Sequence, residues 1–196
     1  AAVQESGVNF RGTSQRGSPR LEKTFHAFFH FEQADVEYIE EWPQLANVAG
    51  AVVIENGRTS IRVDGGRTMG LSIGPTTAVA ERDEDGQQWL TINGVAGGAS
   101  QAGLDFLNVA PLDDTLGDTM ANWQVEGEVQ AELALDIPLG ASGLQPRVVI
   151  AASLTDNTVV LPEYQLEFNQ VAGVINFDSL DGLSNTDLEA RLFNGD

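Results

Sequence analysis

The chain has 196 residues and a mass of 20.9 kDa, about the size of one domain, so it can bury a substantial core. Its 10 lysines and arginines against 29 aspartates and glutamates give a net charge of −19, which repels phosphate backbones and argues against a nucleic-acid partner. The absence of cysteine excludes thiolate catalysis, disulfides and cysteine-based zinc sites.

Basic residues are nearly all arginines, because Lys23 is the only lysine. An acidic surface poor in lysine is typical of proteins from salty habitats, but an ordinary acidic domain kept soluble by its charge has the same composition. The sequence has no run of 18 apolar residues, so we expect no transmembrane segment in this piece of chain.

The first part of the chain predicts an irregular leader over residues 1–23, since glycine, proline and polar residues interrupt any apolar period there. From Thr24 the pattern has period two, with Phe25, Ala27, Phe29 and Phe31 on one side of a strand.

A short helix is predicted next, over Gln33–Trp42. Val36, Ile39 and Trp42 recur there at helical spacing, and Pro43 would end the helix.

A β-meander with short helices is predicted over residues 24–111. Asn56-Gly57 and Gly65-Gly66 are strong hairpin-turn signals, because both central residues of such a turn need positive φ. Five strands follow from these turns and from the acidic loop 82–86, namely Ala51–Glu55, Thr59–Asp64, Met69–Ile73, Thr76–Glu81 and Gln88–Val95. A second short helix over Ala99–Val109, ended by Pro111, completes this part.

Residues 112–196 are predicted to continue the same sheet with long strands. The clearest alternation in the chain runs from Trp123 to Ile137, and 15 residues in a strand would be about 50 Å long at ~3.3 Å each. Shorter alternating runs follow around residues 148–154, 164–168, 175–177 and 188–192.

A weak internal repeat accompanies these strands. Val48-Ala49-Gly50 and Val171-Ala172-Gly173 each begin a strand, turn and returning strand, and Val125-Glu126-Gly127 is a looser third copy. The repeat predicts a sheet that grows by successive hairpins.

No catalytic, metal or cofactor site can be assembled from the sequence. His26 and His30, the only histidines, would stand about 13 Å apart on a strand, too far to share one metal ion. The loop that begins at Glu81 has Ile92 where a calcium-binding loop needs glutamate, and the glycines of 97–103 are followed by Leu104 where a phosphate-binding loop needs lysine. We therefore expect neither an enzyme nor a bound cofactor.

The remaining feature is a set of strands with one apolar and one acidic face. Bent into a trough, the apolar face would suit lipid acyl chains, at ~0.8 kcal/mol for each buried CH₂. The alternative is that the helices near 33–42 and 99–109, or a second sheet, cover the same face, as in an ordinary sandwich. The candidate groove residues are Trp123, Val125, Val129, Leu133, Leu135, Ile137, Val148, Ile150, Leu166, Phe168, Ile175 and Phe177.

Several sequence segments resemble the YhdP family of AsmA-like envelope proteins. They are FEQADVEYIEEWP from Phe31, VDGGRTMG from Val63, LALDIPL from Leu133, VAGVINFDSLDGL from Val171, and LFNG from Leu192. They occur in the family's order over nearly all of the chain after residue 24.

The resemblance implies an internal fragment of a much larger protein that is anchored in the inner membrane and crosses the periplasm. The alternating runs predict a mostly β fold, a long, strongly twisted antiparallel sheet with two short helices, and the resemblance implies that this sheet forms a groove. It also implies that phospholipid acyl chains and the rest of the parent chain are the partners, with transport between the inner and outer membranes supporting the outer-membrane barrier. The alternative function is that of a non-catalytic structural or protein-interaction module of the cell envelope.

Overall fold

The computed structural model describes residues 2–11, 24–37, 42–110, 122–140 and 143–193, and most of them lie in β-strands. The strands are β1 (Ala2–Arg11), β2 (Thr24–Val36), β3 (Leu45–Glu55), β4 (Arg58–Thr68), β5 (Leu71–Arg82), β6 (Gln88–Ala99), β7 (Gln124–Leu139), β8 (Arg147–Leu161), β9 (Leu166–Asp178) and β10 (Gly182–Phe193). One α-helix, α1 (Ser100–Val109), lies between β6 and β7, and a 3₁₀ turn (Pro162–Tyr164) lies between β8 and β9.

The ten described strands form one antiparallel sheet in strict chain order, from β1 at one edge to β10 at the other. Consecutive strands pair because short turns join them, as in a meander. The prediction of a mostly β, antiparallel fold with little helix is confirmed. Strand β6, in the first predicted segment (24–111), pairs with β7, in the second (112–196). The pairing runs from Gln88 opposite Leu139 to Ala99 opposite Glu128 without a register shift.

Side-chain alternation gives the sheet two different faces. Residues directly opposite each other on paired strands share a face, so the register assigns faces from strand to strand. We call the side that bears Leu133 the apolar face and the side that bears Glu132 the polar face. The apolar face includes Ala27, Phe29, Val48, Val52, Ile61, Val63, Ala78, Leu90, Ile92, Val129, Leu133, Leu135, Ile137, Val148, Ile150, Phe168, Ile175, Phe177, Leu188 and Leu192.

Two predicted elements at the start of the chain differ from the structure. Ala2–Arg11 is strand β1, where the sequence predicted a leader; its backbone pairs with β2, and Gly7 leaves room for the ring of Phe28. Residues 12–23 lie outside the described residues.

The helix predicted over Gln33–Trp42 is wrong for every residue of it that the structure describes: the first four belong to β2, and Glu37 and Trp42 lie in neither a helix nor a strand. Gln33 adopts a positive φ of 53° and marks a bulge, after which Ala34 pairs with Val48 and is buried beside it. Cross-strand burial therefore prevailed over a local helical spacing of apolar residues. Residues 38–41 lie outside the described part of the chain.

The meander has four strands in place of the five predicted between residues 45 and 99. The Asn56-Gly57 turn is confirmed, with φ of 49° and 90°. Gly65-Gly66 lies inside β4, and the turn falls at Met69-Gly70, with φ of 45° and 86°. Gly74 and Pro75 break the alternation in the sequence, but they form an irregularity within β5, so two predicted strands are one.

The alternating runs predicted around 164–168 and 175–177 belong to one strand, β9, and Tyr164 lies in the 3₁₀ turn before it. Two further predicted elements agree closely with the structure. The helix predicted over Ala99–Val109 is α1, and the long strand predicted from Trp123 is β7, with 16 residues. The chain thus grows hairpin by hairpin, as the repeat predicted.

Candidate functional site

The structure brings the predicted groove residues together on the apolar face of β7, β8 and β9. Leu133 of β7 is directly opposite Ile150 of β8, and Ile150 is opposite Phe177 of β9. The neighbouring row joins Ala131, Ala152 and Ile175 in the same way. Trp123 immediately precedes β7 and lies outside its paired positions.

Burial along this face is uneven. Leu135, Ile137 and Val148 form a buried cluster, with Leu90, Ile92 and Ile150 packed around it. A second buried cluster, of Ala34, Val48 and Val63, lies on β2, β3 and β4. Toward the β10 edge the face opens to solvent, where Leu183, Leu192 and Leu188 are 61%, 50% and 41% exposed.

The helix α1 and Trp42 lie on the middle of the apolar face. The side-chain Oε1 of Gln101 accepts a hydrogen bond from the backbone N–H of Val125 at 2.9 Å. A Cβ atom placed on Gly103 would lie 3.4 Å from Cγ1 of Val129, so the helix backbone approaches β7 closely. Trp42 packs on the cluster of Leu135, Ile137 and Val148, and its ring meets that of Phe106 edge-on at 6.4 Å.

A buried asparagine fastens the start of the helix to the sheet. Asn157, with no exposed surface, donates from Nδ2 to Oγ of Ser100 at 2.5 Å and accepts at Oδ1 from the N–H of Thr155 at 3.1 Å. It lies at a bulge in β8, next to Gly127, where any side chain would collide with it. A buried amide with its partners satisfied specifies one position for α1.

The sequence offers Trp42 and Leu104 as parts of this face only through the alternative that helices cover it, and no pattern singles out either residue. Asn157 is not identified by the sequence at all, because it lies in a polar stretch, Thr155-Asp156-Asn157-Thr158, that is typical of a loop. A signal did exist, because this polar stretch interrupts the apolar alternation of a long strand, as bulges do.

The polar face carries the negative charge of the long strand. Glu126, Glu128, Glu132 and Asp136 alternate with the apolar residues of β7, and Oδ1 of Asp136 accepts a 2.8 Å hydrogen bond from the hydroxyl of Thr91 on β6. This arrangement leaves acidic groups on one face of β7 and hydrocarbon on the other.

An ion pair joins the start of β8 to the end of β9. Nη2 of Arg147 lies 2.7 Å from Oδ2 of Asp178, and the N–H of Leu180 donates to Oδ1 of the same carboxylate at 3.0 Å. The hydrogen bond from Arg147, and then that from Leu180, hold the pKa of Asp178 below its ordinary value. The same contact raises the pKa of Arg147.

A cavity of about 550 Å³ lies on the polar face across β4 to β8. Its floor is of small and apolar residues, including Ala134, Val149 and Ala151, but Arg62, Asp64 and Glu132 also line it. Arg62 pairs with Asp64 at 3.2 Å. Because charged groups border this depression, it offers an acyl chain less continuous hydrocarbon than the opposite face does.

The two histidines stand on the polar face of β2, one on each side of Phe28. The ring centroids of His26 and Phe28, and of Phe28 and His30, are 6.2 Å apart, and Nε2 of His26 lies 3.4 Å from Oε1 of Glu55. Within the described ranges, no three histidine or carboxylate side chains are placed to hold a metal ion.

Neither helix in the described part of the chain combines the length and the apolar character that a membrane crossing requires.

Comparison with known proteins gives the family. The intermembrane phospholipid transporter YhdP of Escherichia coli (strain K12) is 26% identical over 184 residues, which are 91% of this chain and 14% of that protein. The chain thus corresponds to about one seventh of the length of this relative. No solved structure matches it. The YhdP protein family matches residues 2–196, nearly the whole chain, and the chain therefore belongs to this family.

Proposed function

We propose that the chain is a segment of a periplasm-spanning, inner-membrane-anchored protein, and that its apolar face carries phospholipid acyl chains between the inner and outer membranes. The segment has no catalytic role and takes no cofactor; its partners are acyl chains and the rest of the parent chain. By carrying phospholipids, the segment supports the integrity of the outer-membrane barrier. The curated relative is named for phospholipid transport between membranes, which agrees in kind with this role.

The observation that carries the proposal is the continuity of the apolar face. Apolar residues face the same side on strands β2 to β10. The ten strands of the described residues, at ~4.8 Å spacing, are about 43 Å wide, and the 16 residues of β7 are about 53 Å long. A sheet of this size twists, and in this proposal the apolar side is the inside of the resulting trough, where acyl chains lie on β7, β8, β9 and β10.

Exposure at the β10 edge supports this placement. The exposed leucines Leu183, Leu188 and Leu192 extend the row formed by Phe168, Ile175 and Phe177. Exposed apolar surface of this extent is typical of a binding surface. Headgroups would remain in water at the margin, which keeps them away from the acidic polar face.

A second candidate function is a structural or protein-interaction module of the cell envelope. The observation that favours it is the cover of α1 and Trp42 over β7, since a face closed by its own chain has no need of a ligand. The two functions differ in whether the open part of the apolar face takes up lipid.

Neighbouring residues of β9 provide a matched test. Ile175 lies on the apolar face and Val174 on the polar face of the same strand. We expect Ile175→Asn to lower the uptake of a fluorescent phospholipid from phosphatidylethanolamine–phosphatidylglycerol vesicles by at least fivefold while the urea midpoint falls modestly. Val174→Asn should change neither quantity much.

The same protein, purified from cells without added lipid, gives a second readout. We expect native mass spectrometry to show co-purified phospholipid. An apo mass, together with no uptake from vesicles by the unsubstituted chain, would overturn the transport proposal and favour the interaction module.

A further inference from the structure

The helix α1 and the side chain of Trp42, which together we call the cover, occupy the place on β7 where an acyl chain would lie. The helix lies against Val125 and Val129 at one end of the strand. Trp42 packs against the cluster of Leu135, Ile137 and Val148 toward the other end. The contact between Trp42 and Phe106 joins the two parts. The cover therefore buries the same hydrocarbon that a lipid would bury.

The two ends of the helix are held in different ways. Its first residues are fastened by hydrogen bonds, from Asn157 to Ser100 and from the Val125 N–H to Gln101. Its last turn has only apolar contacts among the described interactions, with Phe106 against Trp42 and Val109 56% exposed. Directional contacts at one end and non-directional ones at the other allow rotation about the fastened end.

The helix has little stability of its own. It has ten residues, no side-chain hydrogen bond at its N-cap, no acidic residue in its first turn and no basic residue in its last. Gly103 lies in its interior, where glycine is unfavourable. Isolated helices shorter than ~12–15 residues are marginal in water, so α1 depends on the apolar face to remain helical.

We propose that the cover is an autoinhibitory contact: α1 and Trp42 compete with acyl chains for the apolar face of β7, and lipid displaces them about a hinge at Ser100. This inference rests on the proposed function and adds its regulation. A ligand that binds only the open state shifts the population toward that state, and any contact that holds the cover closed weakens lipid binding by the same free energy.

A reversible cross-link tests the proposal directly. The chain has no cysteine, so the double variant Gly103→Cys/Val129→Cys can form only one intramolecular disulfide. The geometry suits it, because a γ atom at residue 129 already lies 3.4 Å from the Cβ position at residue 103. We expect uptake of fluorescent phosphatidylethanolamine from phosphatidylethanolamine–phosphatidylglycerol vesicles to fall at least tenfold on oxidation and to return on reduction.

The single variants Gly103→Cys and Val129→Cys, treated with the same oxidant and reductant, are the controls and should show no such change. Phe106→Ala should act in the opposite direction, raising the uptake rate severalfold, because it removes the contact with Trp42. Equal uptake by the oxidised and reduced double variant would overturn the cover proposal.

A measurement without lipid separates the cover from the proposed function. Leu104 is buried beneath the helix, so Leu104→Cys reports its opening through the rate of thiol labelling in native buffer. We expect labelling faster than global unfolding and insensitive to low urea, as for a local opening. Labelling only at the rate of global unfolding would overturn the cover, even if lipid binds. If neither the unsubstituted chain nor Phe106→Ala takes up lipid, the proposed function is overturned instead.

Discussion

Adjacent residues of β7 have opposite environments, because successive side chains of a strand point to opposite faces. Leu133 is opposite Gly94 and Ile150 on the apolar face, whereas Glu132 is opposite Val95 and Ala151 on the polar face and is exposed. A shift of one position along β7 therefore moves a side chain from the apolar face to the exposed polar face.

This contrast predicts unequal costs for substitutions at the two positions. Leu133→Asp should lower the free energy of unfolding by about 2–4 kcal/mol, because an unpaired carboxylate enters an apolar surface. Glu132→Leu should change it by less than about 0.5 kcal/mol. Urea midpoints of the two variants check this, and equal destabilisation would contradict the facial assignment.

The carboxylate of Asp178 predicts a dependence of stability on acid. Its pKa is lowered in the folded protein by Arg147 and Leu180, relative to about 3.9 in the unfolded chain. The stabilisation is therefore present above the unfolded pKa and is lost as the pH falls through the lower, folded pKa.

Asp178→Asn should remove this contribution. We expect the difference in unfolding free energy between the parent and the variant to be constant above pH 5 and to shrink as the pH falls below about 3.9. Using the difference cancels the protonation of the other carboxylates. A difference that grows in acid would contradict the assignment.

At the scale of whole elements, the β3–β4 and β9–β10 hairpins each have a glycine where the two strand backbones approach closely. A Cβ on Gly50 would overlap the carbonyl oxygen of Arg62, and one on Gly173 would overlap that of Asp187. Both glycines end a Val-Ala-Gly segment, so the weak sequence repeat marks places where neighbouring backbones come too close for a side chain.

A matched pair in the β3–β4 hairpin tests this reading. Gly50→Ala should lower the free energy of unfolding by about 1–3 kcal/mol through overpacking. Gly65→Ala, whose Cβ would be 3.6 Å from the nearest atom, should be neutral or stabilise the protein by up to about 1 kcal/mol. Thermal or urea unfolding would show whether the two variants separate as expected.

For the molecule as a whole, the net charge of −19 predicts stabilisation by salt. Acidic residues on the polar face repel one another, and raising NaCl from 0.01 to 1 M shortens the Debye length from about 30 to about 3 Å. The melting temperature should rise over this range.

The variant Glu126→Gln/Glu128→Gln/Glu132→Gln is the control, because it removes three charges from one strand without changing the apolar face. Its melting temperature should rise less with salt than that of the parent. A parent melting temperature that is flat or falls with salt would contradict the role given to charge repulsion.

The local sequence pattern alone was sufficient to predict the elements that depend only on neighbouring residues. The alternation of β7, the Asn-Gly turn after β3 and the helix before residue 110 follow from side-chain period and from positive φ, which are properties of neighbouring residues. The candidate groove residues of each strand share one face for the same reason, but the register of β7, β8 and β9 decides that these faces lie on the same side of the sheet.

Tertiary structure alone decided what depends on partners distant in sequence. Gln33–Val36 and Ala2–Arg11 became strand because each pairs with a strand distant in sequence, Gln33–Val36 with β3 and Ala2–Arg11 with β2. The burial of Asn157 and the position of Trp42 over β7 arise from contacts across 57 and about 90 residues of chain. Periodicity determines which face of a strand is apolar, but only the packing of remote elements determines which part of that face remains open.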